Sequence, residues 1–487
     1  MSDRWLDLCL IALYLITVTV FGARFGSSQK SLRDYFLGGR SAPWWAIGLS
    51  IVAAETSTLT IIGTPALAFR SDLGFLQIAL GYLLARVLIS LVFLPAYSRG
   101  EIYTAYELIQ RRFGESLRRL TASTFLVTRS LAEGVRVFAI SLVVSVVLDT
   151  GDMVSILIIT LLTLFYTFHG GMTAVIWTDV VQMALYVSGA LLSFWMILER
   201  VPGGWEQVAS VAAAEGKFRV FDFSFALDAE FFAKPYTFLA GLVGGCFLTT
   251  ATHGTDQLVV QRLLSARSER EGRAALFGSW VIIFIQFTLF LTIGVMLYVY
   301  HSTLGVPAPD PLDRLYPSFI WNELPPVAAG VVIAAILAAA MSNISAALNS
   351  LASATMMDLV LPRWGSRFAS EQSKLTAARW ATVVWGVVLM SIAVAAREWG
   401  SVLEAGLAIA SVPLGALLGV FSLGTLTKRV DERAALCGMG VGLAAILYVT
   451  FATSVAWSWY VAVGATTTFC VGWASSFFFG APKQAKT

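Results

Sequence analysis

The sequence predicts an all-α integral membrane protein with about 13 transmembrane helices. Hydrophobic residues make up 57% of the 487 residues, charged residues make up 13%, and the mean hydropathy is +0.76. Because soluble domains carry about 25% charged residues, this composition excludes a soluble globular protein. The apolar residues also collect in runs of about 20, which is the length that an α-helix needs to cross a bilayer.

Successive apolar runs predict the spanning helices in order. They cover residues 5–23, 43–69, 73–97, 120–148, 153–169, 174–199, 236–264, 275–300, 323–357, 378–396, 401–427, 434–453 and 456–479. The first run is flanked by Asp3 and Asp7 and is followed by no small-residue cleavage site, so we expect a retained helix and not a signal peptide. Residues 1–487 are therefore predicted to form a single transmembrane domain.

Basic residues concentrate in alternate connections between these spans. The connection after the third span, for example, holds Arg99, Arg111, Arg112, Arg118 and Arg119. Since cytoplasmic loops are enriched in Lys and Arg, the pattern places the N-terminus outside and the C-terminus inside. We expect a multi-pass protein of the plasma membrane, which in a bacterium is the cytoplasmic membrane.

The second span, residues 43–69, is unlike a plain membrane anchor. Its middle carries one carboxylate and four hydroxyl side chains, which are Glu55, Thr56, Ser57, Thr58 and Thr60. A carboxylate at membrane depth costs about 2.5–3.5 kcal/mol on insertion scales and normally faces a wet cavity or a solute path. Gly63 and Pro65 follow closely and allow the backbone to unwind. The span is predicted to be a broken helix at a transport site.

Three charged residues of the fourth span, Arg129, Glu133 and Arg136, are spaced to share one helix face. Two interpretations are open at this point. The residues form a structural ladder of ion pairs with Glu55, Asp179 or Asp256, or one arginine is left to bind a solute carboxylate, which guanidinium matches with two hydrogen bonds.

A second interrupted span lies five spans after the first, at residues 236–264. Glycines soften its outer half, and Thr249, Thr250, Thr252, His253, Thr255, Asp256 and Gln257 crowd its inner half. Two polar, interrupted helices at matching positions predict an inverted repeat with a site at the midplane. The repeats are expected at residues 43–199 and 236–427, with an extra first helix at 5–23 and two last helices at 434–479.

The span at residues 323–357 contributes a third polar segment. Ser342, Asn343, Ser345, Asn349 and Ser350 recur at intervals of helical spacing. Small residues in a membrane helix are more often used for packing than for ligation. Oxygen ligands of this kind nevertheless suit an alkali cation better than zinc or copper.

Several other classes of function are disfavoured. The four cysteines and three histidines show no metal-ligand spacing and no disulfide pattern, so we expect no transition metal and no cofactor. The net charge of +3 gives no indication of nucleic acid binding. The expected partners are a small organic solute, an alkali cation and the lipid bilayer.

Six motifs together resemble the sodium/solute symporters, the family of the sodium-coupled proline, glucose, sialic acid, monocarboxylate and multivitamin transporters. They are DYFLGGRS at 34–41, TAYELIQRRFG at 104–114, GGMTAVIWTDVVQ at 170–182, TDQLVVQR at 255–262, ILAAAMSNIS at 336–345 and LGVFSLGTLTKR at 418–429. The resemblance covers roughly residues 5–480. It implies a leucine-transporter-like fold of two inverted five-helix repeats with one extra N-terminal helix.

The resemblance also implies a sodium site between the first broken helix and the span at 323–357. By motif, the ligands would be the carbonyls of Ala53, Thr56 and Ala339 and the side-chain oxygens of Ser342 and Asn343. The family has Ser or Thr where this chain has Asn343. An amide oxygen can still coordinate sodium, although its longer reach changes the geometry.

Some members of the family bind a second sodium ion near the position of Asp179. The matching hydroxyls would come from Ser342, Ser345 and the next residue, but that residue is Ala346. The lost hydroxyl favours one sodium per cycle, with Asp179 and Ser345 forming either a second ion site or part of the inner exit.

Solute contacts implied by the resemblance come from several helices. The matching residues are Glu55, Ser57, Thr58, Thr60, Gln77, Arg129, Thr252, His253 and Ser411. A carboxylate at Glu55 looks like the proline-type members, whereas the motifs at 170–182 and 418–429 look most like the monocarboxylate and multivitamin branch. A carboxylate-bearing solute is one expectation.

The predicted function is secondary active transport, with one sodium ion and one small organic solute moved together by alternating access. Proton coupling through Glu55 or His253 is an alternative on the same fold. A membrane solute sensor with little flux is another alternative. An enzyme is not expected, because His253 and Asp256 are accompanied by no second catalytic cluster.

Overall fold

The computed structural model describes residues 4–24, 31–98, 102–148, 150–310, 312–397 and 402–479. Over these ranges the chain is almost entirely helical and forms no β-strand. The long apolar runs form helices because a backbone in hydrocarbon must satisfy its own hydrogen bonds, which an α-helix does within one segment.

Fourteen helices carry the architecture. In chain order they are α1 (Trp5–Ala23), α2 (Trp44–Glu55), α3 (Thr58–Arg70), α4 (Leu76–Leu88), α5 (Glu115–Leu148), α6 (Asp152–Arg200), α7 (Gly245–Gly254), α8 (Gln257–Leu264), α9 (Glu269–Leu304), α10 (Ala328–Ala354), α11 (Glu371–Ala396), α12 (Val402–Leu426), α13 (Glu432–Ala452) and α14 (Tyr460–Phe479). Shorter helices at Leu32–Leu37, Ala105–Arg112, Gly204–Ala214, Ala229–Ala233 and Leu315–Glu323 lie in the connections.

Each predicted span coincides with a helix or with a broken pair of helices. Within the described residues, seven helices are long and apolar enough to cross a membrane, or eight if the bent pair of α2 and α3 is one span. Three shorter apolar helices, Trp5–Val18, Met153–Phe165 and Ser411–Leu426, add to these. The total of thirteen crossings stays a prediction.

Two predicted spans, 153–169 and 174–199, belong to one helical run, α6. The run is interrupted at Gly171, whose φ of 57° and ψ of −155° lie outside the helical region. A side chain there would meet the Tyr35 backbone at 2.7 Å, so both the conformation and the space require glycine.

The first broken helix is present, and its break lies at Thr56 and Ser57. Both residues have extended backbone angles, and the helices on either side are bent by 58°. The sequence-based expectation that Gly63 and Pro65 unwind the backbone is wrong, because both residues lie inside the continuous helix α3.

The second broken helix is also present, with its break at Thr255 and Asp256 between α7 and α8. Asp256 caps α8 because its Oδ1 accepts a hydrogen bond from the Leu258 backbone N–H at 2.9 Å. Polar side chains at the break therefore replace the backbone hydrogen bonds that the interruption removes.

Helix α10 lies at the centre of the molecule. In the apolar stretch of this helix that is long enough to cross a membrane, 94% of the residues are buried inside the protein. The corresponding stretch of the peripheral helix α11 is 28% buried. It packs against α1, α5 and α6, and it also contacts both halves of the first broken helix. Polar side chains on α10 therefore face protein and not lipid.

Helices α4 and α7 approach each other through glycines. A Cβ at Gly245, the first residue of α7, would lie 2.4 Å from the carbonyl oxygen of Ile78 on α4, so only glycine permits this backbone contact. The close contact holds α7 and its break beside the first broken helix.

Candidate functional site

A cavity of about 130 Å³ lies between α2, α4, α5, α7, α8 and α12. Five of the nine predicted solute contacts line it, namely Glu55, Arg129, Thr252, His253 and Ser411. Apolar side chains, including Phe125, Leu248 and Leu414, form much of the remaining wall. The lining of the cavity therefore combines polar side chains with apolar side chains.

Glu55, the last residue of α2, borders this cavity as a paired carboxylate. Its Oε2 accepts a hydrogen bond from Arg86 Nη2 at 2.8 Å and lies 3.2 Å from His253 Nε2. The Arg86 side chain is fully buried, while that of Glu55 is 11% exposed. The neighbouring guanidinium compensates the charge that makes a membrane carboxylate costly.

Arg86 is itself held by several acceptors. Its Nε donates to the Leu276 carbonyl at 3.1 Å, and its Nη1 donates to the Tyr82 carbonyl at 3.3 Å. The sequence placed Arg86 inside a span but gave it no partner. Its structural role is to anchor Glu55 to α4 and α9 across the break.

Arg129 is paired twice. Its Nη2 lies 2.5 Å from Glu133 Oε1, and its Nη1 lies 3.2 Å from Asp256 Oδ2. The predicted ladder of ion pairs is therefore present, with Asp256 as the partner on the second broken helix. This pairing ties α5 to the break before α8.

Arg136 also lines the cavity, about two turns farther along α5 than Arg129. It is paired with Glu133, and its side chain is 18% exposed compared with 10% for Arg129. It was not among the predicted solute contacts, although its position on the Arg129 face was a usable signal. Of the two arginines, Arg136 has the more exposed side chain.

The charged groups around the cavity balance. Three carboxylates, those of Glu55, Glu133 and Asp256, pair with three guanidinium groups, those of Arg86, Arg129 and Arg136. The formal charge of this set is zero when His253 is neutral. His253 Nδ1 lies 2.9 Å from the Thr252 hydroxyl, which fits a neutral ring that carries its proton on Nε2 and donates it to Glu55.

Four other predicted solute contacts do not line this cavity. Ser57 and Thr60 are buried near the first break, and the side chain of Thr58 lies outside the described residues. Gln77 lies elsewhere, because its amide is used between segments. Its Nε2 donates to the Tyr236 carbonyl at 2.7 Å, and its Oε1 accepts from the Asp222 N–H at 3.0 Å.

The carbonyls predicted to ligate sodium converge on one point. Asn343 Nδ2 donates to the carbonyl oxygens of Ala53 at 3.2 Å, Thr56 at 2.8 Å and Ala339 at 2.9 Å. We call these three carbonyls the cage. The cage joins the C-terminal end of α2, where a helix dipole is negative, to the central helix α10.

The break in α2 supplies two of the three cage carbonyls. The side chain of Thr56 is held away from them, because its Oγ1 accepts a hydrogen bond from Gln286 Nε2 at 2.6 Å. Gln286 in turn accepts a hydrogen bond from the Tyr186 hydroxyl at 3.1 Å. These two residues were not predicted, since nothing local in α6 or α9 marks them as supports of the break.

Ser342 borders a second buried cluster centred on Asp179. The Ser342 hydroxyl donates to Asp179 Oδ1 at 2.5 Å, which uses its proton but not its oxygen lone pairs. Asp179 Oδ2 accepts from Ser50 Oγ and from Arg262 Nη2, the latter at 2.9 Å. Ser345 is not part of this cluster, because its hydroxyl donates to the Ser342 carbonyl at 2.9 Å.

Arg262 is a buried basic residue, with a side chain that is only 1% exposed. It lies at the end of α8 and donates to Ser50 as well as to Asp179. It therefore links the second broken helix to α2 and to α6 inside the protein.

Comparison with protein families gives one match over most of the chain. The model described as the sodium:solute symporter family matches residues 35–442. The human sodium/iodide cotransporter is 30% identical over 456 residues, which is 91% of this chain and 69% of that protein. The sodium/sialic acid symporter SiaT of Proteus mirabilis is 29% identical, over 97% of this chain and 95% of that protein.

Solved structures agree with the sequence matches. A sodium-coupled sialic acid symporter in a substrate-bound outward-open state superposes with a TM-score of 0.88 at 28% identity, covering 99% of both chains. The transporter Mhp1 superposes with a TM-score of 0.55 at 12% identity over 91% of this chain and 94% of that one, which shows the fold alone. The fold is the leucine-transporter-like arrangement.

Proposed function

Because the chain belongs to the sodium/solute symporter family, whose matching members are transporters and not enzymes, we propose that it moves one sodium ion together with one small organic solute. The observation that carries this proposal is the position of two consecutive residues. Glu55 borders the solute cavity, while the carbonyl of the next residue, Thr56, is part of the cage. An ion in the cage would order the same break that shapes the solute site.

We propose that the cage and the Ser342 hydroxyl hold sodium. Unwound carbonyls and the C-terminal ends of half-helices are the groups that coordinate sodium in transporters of this kind. Ala53, Thr56 and Ala339 supply such oxygens, and the lone pairs of Ser342 and the amide oxygen of Asn343 would complete the set. Sodium would link α2 to α10 and favour the conformation that binds solute.

We assign the solute to the cavity and its carboxylate to Arg136. A guanidinium group binds a carboxylate with two hydrogen bonds, and of the two arginines that line the cavity Arg136 has the more exposed side chain. Arg86 and His253 both contact the same carboxylate oxygen of Glu55, Oε2. We therefore assign the other oxygen, Oε1, as the acceptor for a hydrogen-bond donor on the solute. Thr252, His253 and Ser411 complete the polar lining.

The size and charge of the cavity favour a compact solute. A volume of about 130 Å³ is close to that of an apolar cavity known to hold benzene, about 150 Å³. Since the charged lining is balanced, a monocarboxylate would enter without an excess of positive charge to receive it. Its charge is compensated when it travels with one sodium ion.

A stoichiometry of one sodium ion is favoured by the Asp179 cluster. Arg262 already compensates the charge of Asp179, and position 346 provides no hydroxyl. One ion that moves through 100 mV supplies about 2.3 kcal/mol, and a tenfold sodium gradient adds about 1.4 kcal/mol. For a neutral solute the combined driving force would support accumulation of about 500-fold, whereas a monocarboxylate that moves with one sodium ion carries no net charge and would be driven by the sodium gradient alone, to about tenfold.

The membrane arrangement follows from the sequence pattern. We propose that the N-terminus faces outside and the C-terminus inside, in the cytoplasmic membrane of a bacterium. Residues 43–199 and 236–427 would form the two inverted repeats. The break of α2 and α3 and that of α7 and α8 occupy matching positions in them.

Proton coupling is the second candidate, and one observation favours it. His253 Nε2 and Glu55 Oε2 lie 3.2 Å apart at the cavity wall, so a proton taken up there would change the charge of the solute site. In that case solute uptake would follow a pH gradient when sodium is replaced by potassium.

The proposal is tested with the purified protein in detergent. Its Tm would be measured against sugars, amino acids, short carboxylates, sialic acid and vitamins, each in sodium and in potassium chloride at one pH. We expect a short carboxylate to raise Tm in sodium only, because ligand and ion stabilise the same conformation. A solute that stabilises equally in both salts would contradict sodium coupling.

A further inference from the structure

The side-chain amide of Asn343 lies where the cage carbonyls meet. Its nitrogen is 3.2, 2.8 and 2.9 Å from the oxygens of Ala53, Thr56 and Ala339. All three are acceptors, and the amide nitrogen carries two protons. The NH2 group therefore presents positive charge to the point from which the same oxygens would coordinate a cation.

The opposite end of the amide shows which contacts hold it in place. Asn343 is 1% exposed, and its Oδ1 is buried with no hydrogen-bond partner among the described residues. The amide is therefore oriented by what its nitrogen donates and not by what its oxygen accepts. If the amide were turned over, Oδ1 would face three carbonyl oxygens, which is favourable only with a cation between them.

The cage cannot hold the amide nitrogen and an ion together. A cation that contacts all three oxygens needs the volume that Nδ2 fills at hydrogen-bond distance. The hydroxyl of a serine at this position would be shorter and carry one proton, so it could donate to fewer of the carbonyls than the amide nitrogen, whose two protons serve three acceptors. The asparagine, which departs from the family motif, changes what the cage binds when no ion is present.

We propose that the Asn343 amide is an intramolecular competitor of the coupling ion. Sodium enters only when the amide nitrogen leaves the cage and the amide turns its oxygen toward the ion. When sodium leaves, the amide satisfies the carbonyls again, so the break in α2 stays ordered without the ion. This inference rests on the proposed function, because it names what regulates the proposed sodium site.

The test compares Asn343→Ser with the parent protein and with a matched control, Asn349→Ser. Asn349 is a buried asparagine on the same helix, but its Nδ2 contacts Met172 Sδ at 3.4 Å and no cage carbonyl. The Tm of each purified protein is measured in choline chloride and during titration with sodium chloride at constant ionic strength.

We expect Asn343→Ser to lower the Tm in choline, because the carbonyls lose their donor. We also expect it to lower the half-saturating sodium concentration about tenfold, because the competitor is gone. Asn349→Ser should leave the half-saturating sodium concentration as in the parent protein. If Asn343→Ser and the parent share both the Tm in choline and the sodium midpoint, the competitor role is overturned while sodium coupling stands.

Two further outcomes separate this inference from the proposed function. If sodium stabilises Asn343→Ser but not the parent protein, the amide outcompetes the ion, which supports the inference and overturns sodium coupling through this cage. If sodium stabilises neither protein, the proposed function fails and the inference fails with it.

Asn343→Asp provides a second variant if the serine variant does not fold. The aspartate has nearly the same shape but carries no NH2 donor, so it would place a carboxylate against the three carbonyls. We expect a lower Tm in choline and a larger rise of Tm with sodium than in the parent. Equal values for the two proteins in both salts would overturn the proposal.

Discussion

Asn343 Nδ2 donates a hydrogen bond to the Thr56 carbonyl oxygen at 2.8 Å, and this contact joins the central helix α10 to the break of the first broken helix. Glu55, the residue before Thr56, lines the cavity that we assign to the solute. The two sites are therefore one residue apart. In the proposed mechanism, a change in what occupies the cage reaches the solute site through a single peptide unit.

Arg136 provides the first prediction, on solute binding. Arg136→Gln should weaken binding of a short monocarboxylate by about 10- to 100-fold, since a hydrogen bond to a charged group contributes about 1.5–3 kcal/mol. The shift of Tm by sodium alone should be retained. The control is Arg119→Gln, which removes a surface arginine paired with Glu115 on the same helix. Equal solute affinity in both variants would contradict the assignment of Arg136.

The pair formed by Arg86 and Glu55 provides a prediction on stability. Glu55→Gln leaves a buried guanidinium without its carboxylate, and Arg86→Met leaves the carboxylate without its guanidinium. Each single variant should lower Tm by several degrees. The double variant should lose less than the sum of the two, because the residues interact directly. Additive losses would show that the pair contributes little.

Asp179 tests the stoichiometry. In the parent protein, solute uptake should depend on sodium with a Hill coefficient near one. Asp179→Asn should reduce turnover and leave that coefficient unchanged, because Asp179 is paired with Arg262 and binds no second ion in this account. A Hill coefficient near two for the parent protein would refute the stoichiometry of one.

Gln286 tests the support of the break. Gln286→Leu removes the donor to the Thr56 hydroxyl and should raise the half-saturating sodium concentration several-fold, because the cage carbonyl of Thr56 is less well held. Gln182→Leu is the matched control. Gln182 is a buried glutamine on α6 whose amide has no partner among the described residues. Its replacement should leave sodium binding unchanged.

The sequence was sufficient to predict the features that depend on local pattern. The carboxylate at Glu55 marked the first broken helix, and the clustered polar residues before Asp256 marked the second. Of the two interpretations that the sequence left open for Arg129, the ladder of ion pairs is present, with Asp256 as the partner on another helix. These inferences require only knowledge of neighbours along the chain.

Contacts between distant segments could not be predicted in the same way. Arg86 pairs with Glu55 from another helix, and Gln286 supports Thr56 across 230 residues of chain. Gln77 was expected at the solute site because the family resemblance implied a contact there, but its amide bonds to the backbone of Asp222 and Tyr236. The orientation of a polar side chain is decided by partners that only the packed fold brings near.

Asn343 has one feature that the sequence predicts and one that only the packed fold reveals. The motif placed it at the proposed ion site and identified it as a departure from Ser or Thr. That its nitrogen, and not its oxygen, faces the cage follows from the meeting of three carbonyls from two helices. The sequence contains no local signal for that geometry.

Solute uptake into proteoliposomes tests the central claim most directly. A short radiolabelled monocarboxylate would be offered at one pH with an inward sodium gradient, and in parallel with potassium replacing sodium on both sides. The account predicts concentrative uptake with sodium only, and no enhancement by a negative interior, because one sodium ion and one monocarboxylate together carry no net charge. Equal uptake in the two salts, driven instead by an inward proton gradient, would contradict it.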